Sequence, residues 1–273
     1  MKSVKVAAAL ATVLAIGAFA VAASAGVVVE EQETINRGDA PTTRNRTIMI
    51  EGNKQKIITD QDQMVTDLDK NVMLLINPAR KTYAQMPFPP HYPNGMSKTM
   101  KSVEFKKMDS SRVVDGYKCQ DYSGTSHIMG TESKIVECFA KGAPGAKDFA
   151  AFQRVMNAKL TAAGEAGMAR EIPTGVPMAS ETTTNMAGLT IPGMPPDQAK
   201  KFAQMMANRP PIVTKSVVMK ISSKSIADSE FVPPPGYTQQ AVPSRMGQPA
   251  SGSPSPMMKA APGAQPSSKS LPE

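Results

Sequence analysis

Between residues 27 and 86 the apolar side chains occur in short runs separated by turn-forming residues. Runs of this length that are rich in Val, Ile and Thr predict β-strands rather than helices. Gly52 and Asn53 predict a tight hairpin turn, because positive φ is needed there, and Pro78 favours another turn. The predicted strands are residues 27–37, 46–51, 54–59, 72–76 and 81–86.

The second half of the chain combines further strands with two helices. Residues 147–163 place Phe149, Phe152 and Leu160 at helical spacing, which predicts an amphipathic helix that packs on a sheet. Residues 196–208 predict a second, shorter helix. Further strands are predicted near residues 103–107, 117–126, 134–141, 175–184 and 212–226. The predicted fold class is therefore α+β, with an antiparallel sheet covered by one or two helices.

Residues 1–25 predict a signal peptide. Lys2 and Lys5 precede an uncharged apolar run, and residues 23–25 (ASA) have the small-x-small form that signal peptidase requires. We expect cleavage after Ala25. An uncleaved membrane anchor is the alternative, but the run is at the short end of the roughly 17 to 25 residues that span a bilayer. The mature chain is expected to be periplasmic or secreted, without a membrane span.

Cys119 and Cys138 are the two cysteines of the chain. A redox pair would place them in C-x-x-C, and a structural zinc site would need four Cys or His ligands. An even number of cysteines in an exported chain predicts a structural disulfide instead. A hairpin turn centred between Ile128 and Met129 would place the two cysteines directly opposite each other, within disulfide reach.

The composition constrains the core and the partners. The chain has no Trp, and aromatic residues make up 5% of it, so the core is predicted to be aliphatic and methionine-rich. The net charge is +8, but the basic residues are scattered, so nucleic acid is not an expected partner. A solvated basic surface is favoured over attraction to anionic head groups. Residues 239–273 predict a disordered tail after a domain that covers residues 26–238.

Motifs for catalysis or metal binding are weak in this chain. The two histidines are His91 and His127, and the segment around His127 misses the G-x-S-x-G pattern, so we interpret His127 as an exposed turn residue. Residues 60–69 (DQDQMVTDLD) begin like a calcium loop and then fail its order, which favours a solvated loop. We expect neither a cofactor nor enzymatic activity.

Twenty methionines raise the alternative of a copper site, because thioethers suit Cu(I). Met205 and Met206 form one pair and Met257 and Met258 another, but no repeated M-x-x-M array with histidine occurs. Methionine also fills adaptable apolar surfaces, and that role is favoured in a chain without Trp.

Four segments carry a resemblance to a known family. They are residues 69–88 (DKNVMLLINPARKTYAQMPF), 113–122 (VVDGYKCQDY), 135–140 (IVECFA) and 231–237 (FVPPPGY). Together they resemble an exported bacterial family, domain of unknown function 4412, whose members are similar to the lipoprotein carriers LolA and LolB. The resemblance covers roughly residues 27–237. It implies a curved antiparallel half-barrel with helices on its concave side.

The fold that the resemblance implies predicts a non-enzymatic carrier or sensor, with an apolar cavity between sheet and helix for a lipid-like ligand. The pool of predicted wall residues is Met49, Ile57, Leu74, Ile76, Phe152, Met156, Val218 and Met219. A shift of one residue in register would invert the set that faces the cavity. One alternative is a structural or interaction protein of the cell envelope with a filled core. Methionine-based copper binding is a weaker alternative.

Overall fold

The structure is a computed structural model that describes residues 26–38, 40–90, 103–128, 130–189 and 194–241. The predicted signal peptide, His91, and the predicted tail beyond residue 241 lie outside the described residues. The cleavage site and the tail therefore stay predictions.

The described residues form fourteen strands and two α-helices. In chain order the strands are β1 (Val27–Asn36), β2 (Thr42–Glu51), β3 (Lys54–Thr59), β4 (Gln63–Asp67), β5 (Val72–Asn77), β6 (Thr82–Pro87), β7 (Val103–Glu104), β8 (Lys106–Val114), β9 (Tyr117–Ile128), β10 (Thr131–Ala140), β11 (Arg170–Glu171), β12 (Val176–Asn185), β13 (Ile212–Ser223) and β14 (Thr238–Gln240). The helices are α1 (Ala146–Ala162) and α2 (Pro196–Ala207). Neither helix is long and apolar enough to span a bilayer.

Twelve of these strands form one sheet in the order β14-β6-β5-β4-β3-β2-β1-β13-β12-β10-β9-β8. The sheet is curved, is not closed into a barrel, and is antiparallel except where β14 pairs with β6. β7 and β11 form a separate parallel pair. The α+β class is confirmed. β14 runs two residues past the domain boundary predicted at residue 238.

Neighbours in the chain are neighbours in most of the sheet, because tight turns connect β2 through β6 and β8 through β10. The exception is the centre, where β1 pairs with β2 on one side and with β13 on the other. This long-range pairing joins the two halves of the chain into one sheet.

α1 packs on one face of the sheet, which we call the helix face. Alternation along β1 places Val27, Val29, Glu31 and Glu33 on this face. Phe149, Phe152 and Leu160 of α1 are buried in one cluster with Val27 and Val29. Because Phe152 is completely buried there, the space directly beneath α1 is filled by packed side chains.

Residues 224–237, which we call the strap, cover the opposite face. Ile226 and Phe231 of the strap are buried in a second cluster. The other buried members of that cluster are Val28, Val65, Leu74 and Ile76. Two ion pairs hold the strap: Lys54 Nζ lies 2.5 Å from Asp228 Oδ1, and Lys56 Nζ lies 3.0 Å from Glu230 Oε2.

Two local predictions are wrong. Residues 60–69 are not a solvated loop, because β4 occupies their centre and both Val65 and Leu68 are completely buried. The buried Asp67 carboxylate accepts a hydrogen bond of 3.0 Å from the backbone N–H of Lys70 and so closes the next turn. His127 lies within β9 rather than in an exposed turn.

Cys119 and Cys138 form a disulfide with their Cα atoms 5.3 Å apart, as predicted. The predicted register is wrong by two residues, because the hairpin turn is centred one residue later in the chain. Cys138 therefore lies opposite Asp121, and the disulfide crosses the hairpin diagonally. The β10–β12 register shifts directly after Cys138.

We expect replacement of both cysteines by Ala to lower the free energy of unfolding by about 3 kcal/mol, because the disulfide closes a loop of about twenty residues in the unfolded chain. Urea unfolding of the variant and of reduced wild-type protein measures the loss. An unchanged midpoint for the reduced wild-type protein would contradict the stabilising role.

We expect Phe231→Ala to lower the free energy of unfolding by about 3–5 kcal/mol, because it opens a cavity beneath the strap. The neighbouring Val232 is 43% exposed, so Val232→Ala is the matched control and should cost less than about 1 kcal/mol. Equal losses in the two variants would show that the strap does not seal the second cluster.

Candidate ligand-binding site

An apolar cavity of about 450 Å³ opens on the helix face, beside α1 rather than beneath it. Its floor is formed by β9, β10 and β12, and its rim by the segment that follows α1. Its walls are Val103, Ser126, Ile128, Ser133, Ile135, Gly167, Met168, Ala169, Arg170 and Thr182.

Strand register places the floor residues side by side. Ile135 lies opposite Thr182 on one neighbouring strand and opposite Gly124 on the other. A side chain at position 124 would collide with Val103, since a Cβ built there lies 2.8 Å from Val103 Cγ1. Glycine at this position therefore lets Val103 close one wall of the cavity.

The rim is fixed to α1 by one side chain. Asn157 of α1 donates a hydrogen bond of 2.5 Å to the Arg170 carbonyl and accepts one of 3.2 Å from the Arg170 N–H. This two-way contact sets the position of β11, which pairs with β7 next to Val103. The Arg170 side chain is thereby held at the cavity edge.

Arg170 is the cation of the site. Its Nη2 donates a hydrogen bond of 2.8 Å to Glu137 Oε1, and its guanidinium lies 5.2 Å from the centre of the Phe105 ring. Its Nε is buried and has no hydrogen-bond partner among the described residues. The side chain is 39% exposed, so part of it is accessible from solvent.

A row of polar side chains crosses the helix face between the core beneath α1 and the cavity. Its members lie opposite one another on six neighbouring strands, and we call them the polar row: Arg44, Glu33, Ser216, Ser180, Glu137 and Tyr122. Arg44 pairs with Glu33, and Ser180 and Ser216 share a hydrogen bond of 2.8 Å. The cavity is thus separated on the sheet from the packed core.

Glu31 lies next to this row and pairs with Arg46. Burial raises the pKa of the Glu31 carboxyl above its ordinary value of 4.5, and Arg46 opposes this shift. The nearby carboxylates Glu33 and Glu137 raise the pKa further. The ionised form of Glu31 is therefore less stable in the folded protein than in the unfolded chain.

The eight residues predicted as cavity walls lie in three different environments. Phe152, Met156 and Val218 belong to the cluster beneath α1. Met49, Leu74 and Ile76 belong to the cluster beneath the strap. Ile57 is half-buried, and Met219 is 59% exposed. None of the eight lines the apolar cavity, and their role in binding stays a prediction.

Sequence reasoning missed the residues that form the cavity. Ser126, Ser133 and Thr182 are small polar residues in strands, and such residues leave space on a sheet face where larger side chains would fill it. That signal is visible in the sequence. It becomes specific only when strand register shows that the three residues share one surface.

No family model and no curated protein matches the chain. Structures of PNGF-II in two crystal forms align over 81% and 80% of this chain, at 7% identity and with TM-scores of 0.37 and 0.34. This chain spans about a third of the length of PNGF-II. A DUF1329 family protein from Desulfovibrio piger ATCC 29098 aligns over 77% of this chain and 90% of its own, at 10% identity and a TM-score of 0.31.

An outer membrane lipoprotein-sorting protein domain from Vibrio parahaemolyticus aligns over 76% of the chain and 89% of its own length, at 9% identity and a TM-score of 0.30. Similarity at this level says nothing of function.

We expect Glu31→Gln to change the pH dependence of stability. The pKa of Glu31 is higher in the folded protein than in the unfolded chain, so the folded protein keeps a proton that the unfolded chain has already released. The stability of the wild-type protein therefore falls, because of Glu31, as pH rises from about 4.5 through the folded pKa. The free energy of unfolding of Glu31→Gln relative to wild type should therefore increase with pH in this window. Glu30 on the same strand is exposed, and Glu30→Gln is the control for the general effect of removing one carboxylate from this strand.

Proposed function

We propose that the protein is a non-enzymatic, extracytoplasmic binding protein for a hydrophobic small molecule with one anionic group, such as a single acyl chain that ends in an acid. The observation that carries this proposal is the apolar cavity on the helix face with Arg170 at its rim.

The cavity supports a ligand of this class by its size and its lining. Its volume of about 450 Å³ falls in the range of roughly 300–1,000 Å³ that small-molecule sites occupy. Ile135, Met168 and Val103 supply apolar contact, and methionine adapts its shape to flexible chains. Ser126, Ser133 and Thr182 lie on its floor without filling it.

Arg170 supports an anionic group on the ligand. A guanidinium carries five N–H donors, and the contact with Glu137 uses one of them in this structure. The planar group can bind a second carboxylate or phosphate in a bidentate manner while it stays over the Phe105 ring. A ligand whose chain enters the cavity would thus have its acid at the rim.

The disulfide supports a location outside the cytoplasm. Thiols pair and stay paired in oxidising environments outside the cytoplasm, and Cys119 and Cys138 are joined in the interior of the sheet domain. The predicted signal peptide points to the same location.

A second candidate is an interaction protein of the cell envelope without a small ligand. The filled space beneath α1 favours it. So does α2, on which Ala199, Phe202, Ala203 and Met206 form one half-buried stripe and no described side chain is fully buried. A face of this kind suits contact with another protein.

Native mass spectrometry of gently purified protein, together with titration by 11-(dansylamino)undecanoic acid and its methyl ester, tests the proposal. We expect a co-purifying amphiphile and saturable probe binding. Ile135→Trp and Thr182→Trp fill the cavity and should weaken binding of both probes at least tenfold, about 1.4 kcal/mol. Arg170→Gln should weaken binding of the acid about tenfold and leave the ester unchanged.

Two matched variants control for general effects. Val113→Trp adds a bulky side chain at an exposed position, and Arg154→Gln removes an exposed arginine of α1. Both should bind like wild type. Equal binding by the cavity-filling variants would refute the site. Absence of both amphiphile and probe binding would favour the envelope interaction protein, and bound copper would favour the methionine site.

A further inference from the structure

Gly26, the residue directly after the predicted cleavage site, is buried and held by three hydrogen bonds. Its N–H donates to Glu51 Oε2 at 3.0 Å. Its carbonyl accepts from the backbone N–H of Lys224 at 3.0 Å and from Ser223 Oγ at 3.2 Å. The start of β1 is therefore fixed to the end of β2 and to the end of β13 at once.

Glu51 connects this point to the strap. The same oxygen, Oε2, accepts a second hydrogen bond of 3.0 Å from the backbone N–H of Ile226. Ile226 is one of the strap residues buried in the second cluster. A single carboxylate thus joins the first described residue of the chain to the segment that covers one face of the sheet.

Only glycine fits at position 26 without a rearrangement of the neighbouring atoms. A Cβ built on Gly26 would lie 2.4 Å from Glu51 Oε2, 2.6 Å from the Ile50 carbonyl oxygen and 3.0 Å from Ile226 Cδ1. Two of these contacts are shorter than real Cβ contacts. The absence of a side chain is what lets the Gly26 nitrogen approach the Glu51 carboxylate.

Cleavage at the predicted site would change the chemistry of this nitrogen. In the full-length chain the Gly26 nitrogen is a peptide amide with one N–H. Hydrolysis of the bond between Ala25 and Gly26 consumes one water, leaves the carboxylate on Ala25, and converts the Gly26 nitrogen into an α-ammonium group with three N–H donors. The contact with Glu51 would then change from a hydrogen bond into an ion pair.

We propose that Glu51 is the built-in counter-ion of the mature N-terminus, so that cleavage after Ala25 stabilises the start of β1 and the strap together. This inference rests on the predicted cleavage site and is independent of the proposed ligand. A charge-assisted hydrogen bond is roughly twice as strong as a neutral one, and partial burial of the pair limits its screening by solvent.

The test compares two otherwise complete proteins, one that begins at Gly26 and one that keeps Ser24 and Ala25 before it. The second form retains an amide at Gly26, so the comparison isolates the charge. We expect Glu51→Gln to lower the Tm of the mature form by about 3–6 °C and that of the extended form by less than half as much. Intact mass of exported wild-type protein should show Gly26 as the first residue.

Glu30→Gln is the control, because Glu30 is an exposed carboxylate four residues from the same terminus. It should change the two forms equally. An equal effect of Glu51→Gln on the two forms, or an exported protein that begins elsewhere, would overturn the proposal. If Glu51→Gln does not fold, the rate of acetylation of the wild-type α-amine is the test. Pairing with Glu51 should slow acetylation about tenfold relative to a peptide of residues 26–31. Equal rates would overturn the proposal.

Discussion

The sheet depends on β1, which is buried on both faces and paired on both edges. Val27 and Val29 contact the α1 cluster, while Val28 between them contacts the strap cluster. Burial on both sides explains why the strand opens with three consecutive valines rather than with an alternating pattern. Because β13 pairs with β1 across nearly two hundred residues, the two halves of the chain form one sheet only when this strand is in place.

The charged and polar side chains of the polar row divide the helix face into two parts. Its apolar end is closed by Phe152 and its neighbours, and the polar row separates that end from the cavity. Buried carboxylates such as Glu31 and Glu33 are costly in a sheet interior unless they are paired, and the arginines of β2 meet that requirement.

The strap and Gly26 share one acceptor, the Glu51 carboxylate. Carboxylates hold the strap at two points: Glu51 accepts the backbone hydrogen bond of Ile226, and the strap's acidic residues pair with Lys54 and Lys56. Phe231, directly after Glu230, adds the apolar contact of the strap with the second cluster.

Local patterns in the sequence determined the elements. The alternating runs placed most strands within a few residues, the helical spacing of Phe149, Phe152 and Leu160 placed α1, and the pair of cysteines determined the disulfide. The acidic residues around β4 led to the wrong prediction of a solvated loop. In the sequence, acidic residues whose hydrogen bonds are made within the neighbouring turn look the same as residues of a solvated loop. Each of these features depends on residues that are close in the chain.

Only the tertiary structure decided which residues share a surface. Six of the eight predicted wall residues divide between two clusters, while Ile135, Thr182 and Arg170 come together through the β9–β10–β12 register and the Asn157 contact. The sequence alone does not determine such a site, since a shift of one residue in register moves a side chain to the opposite face of the sheet. Register between distant strands depends on the packing of the whole sheet, whereas the elements themselves depend on short-range propensity and turn chemistry.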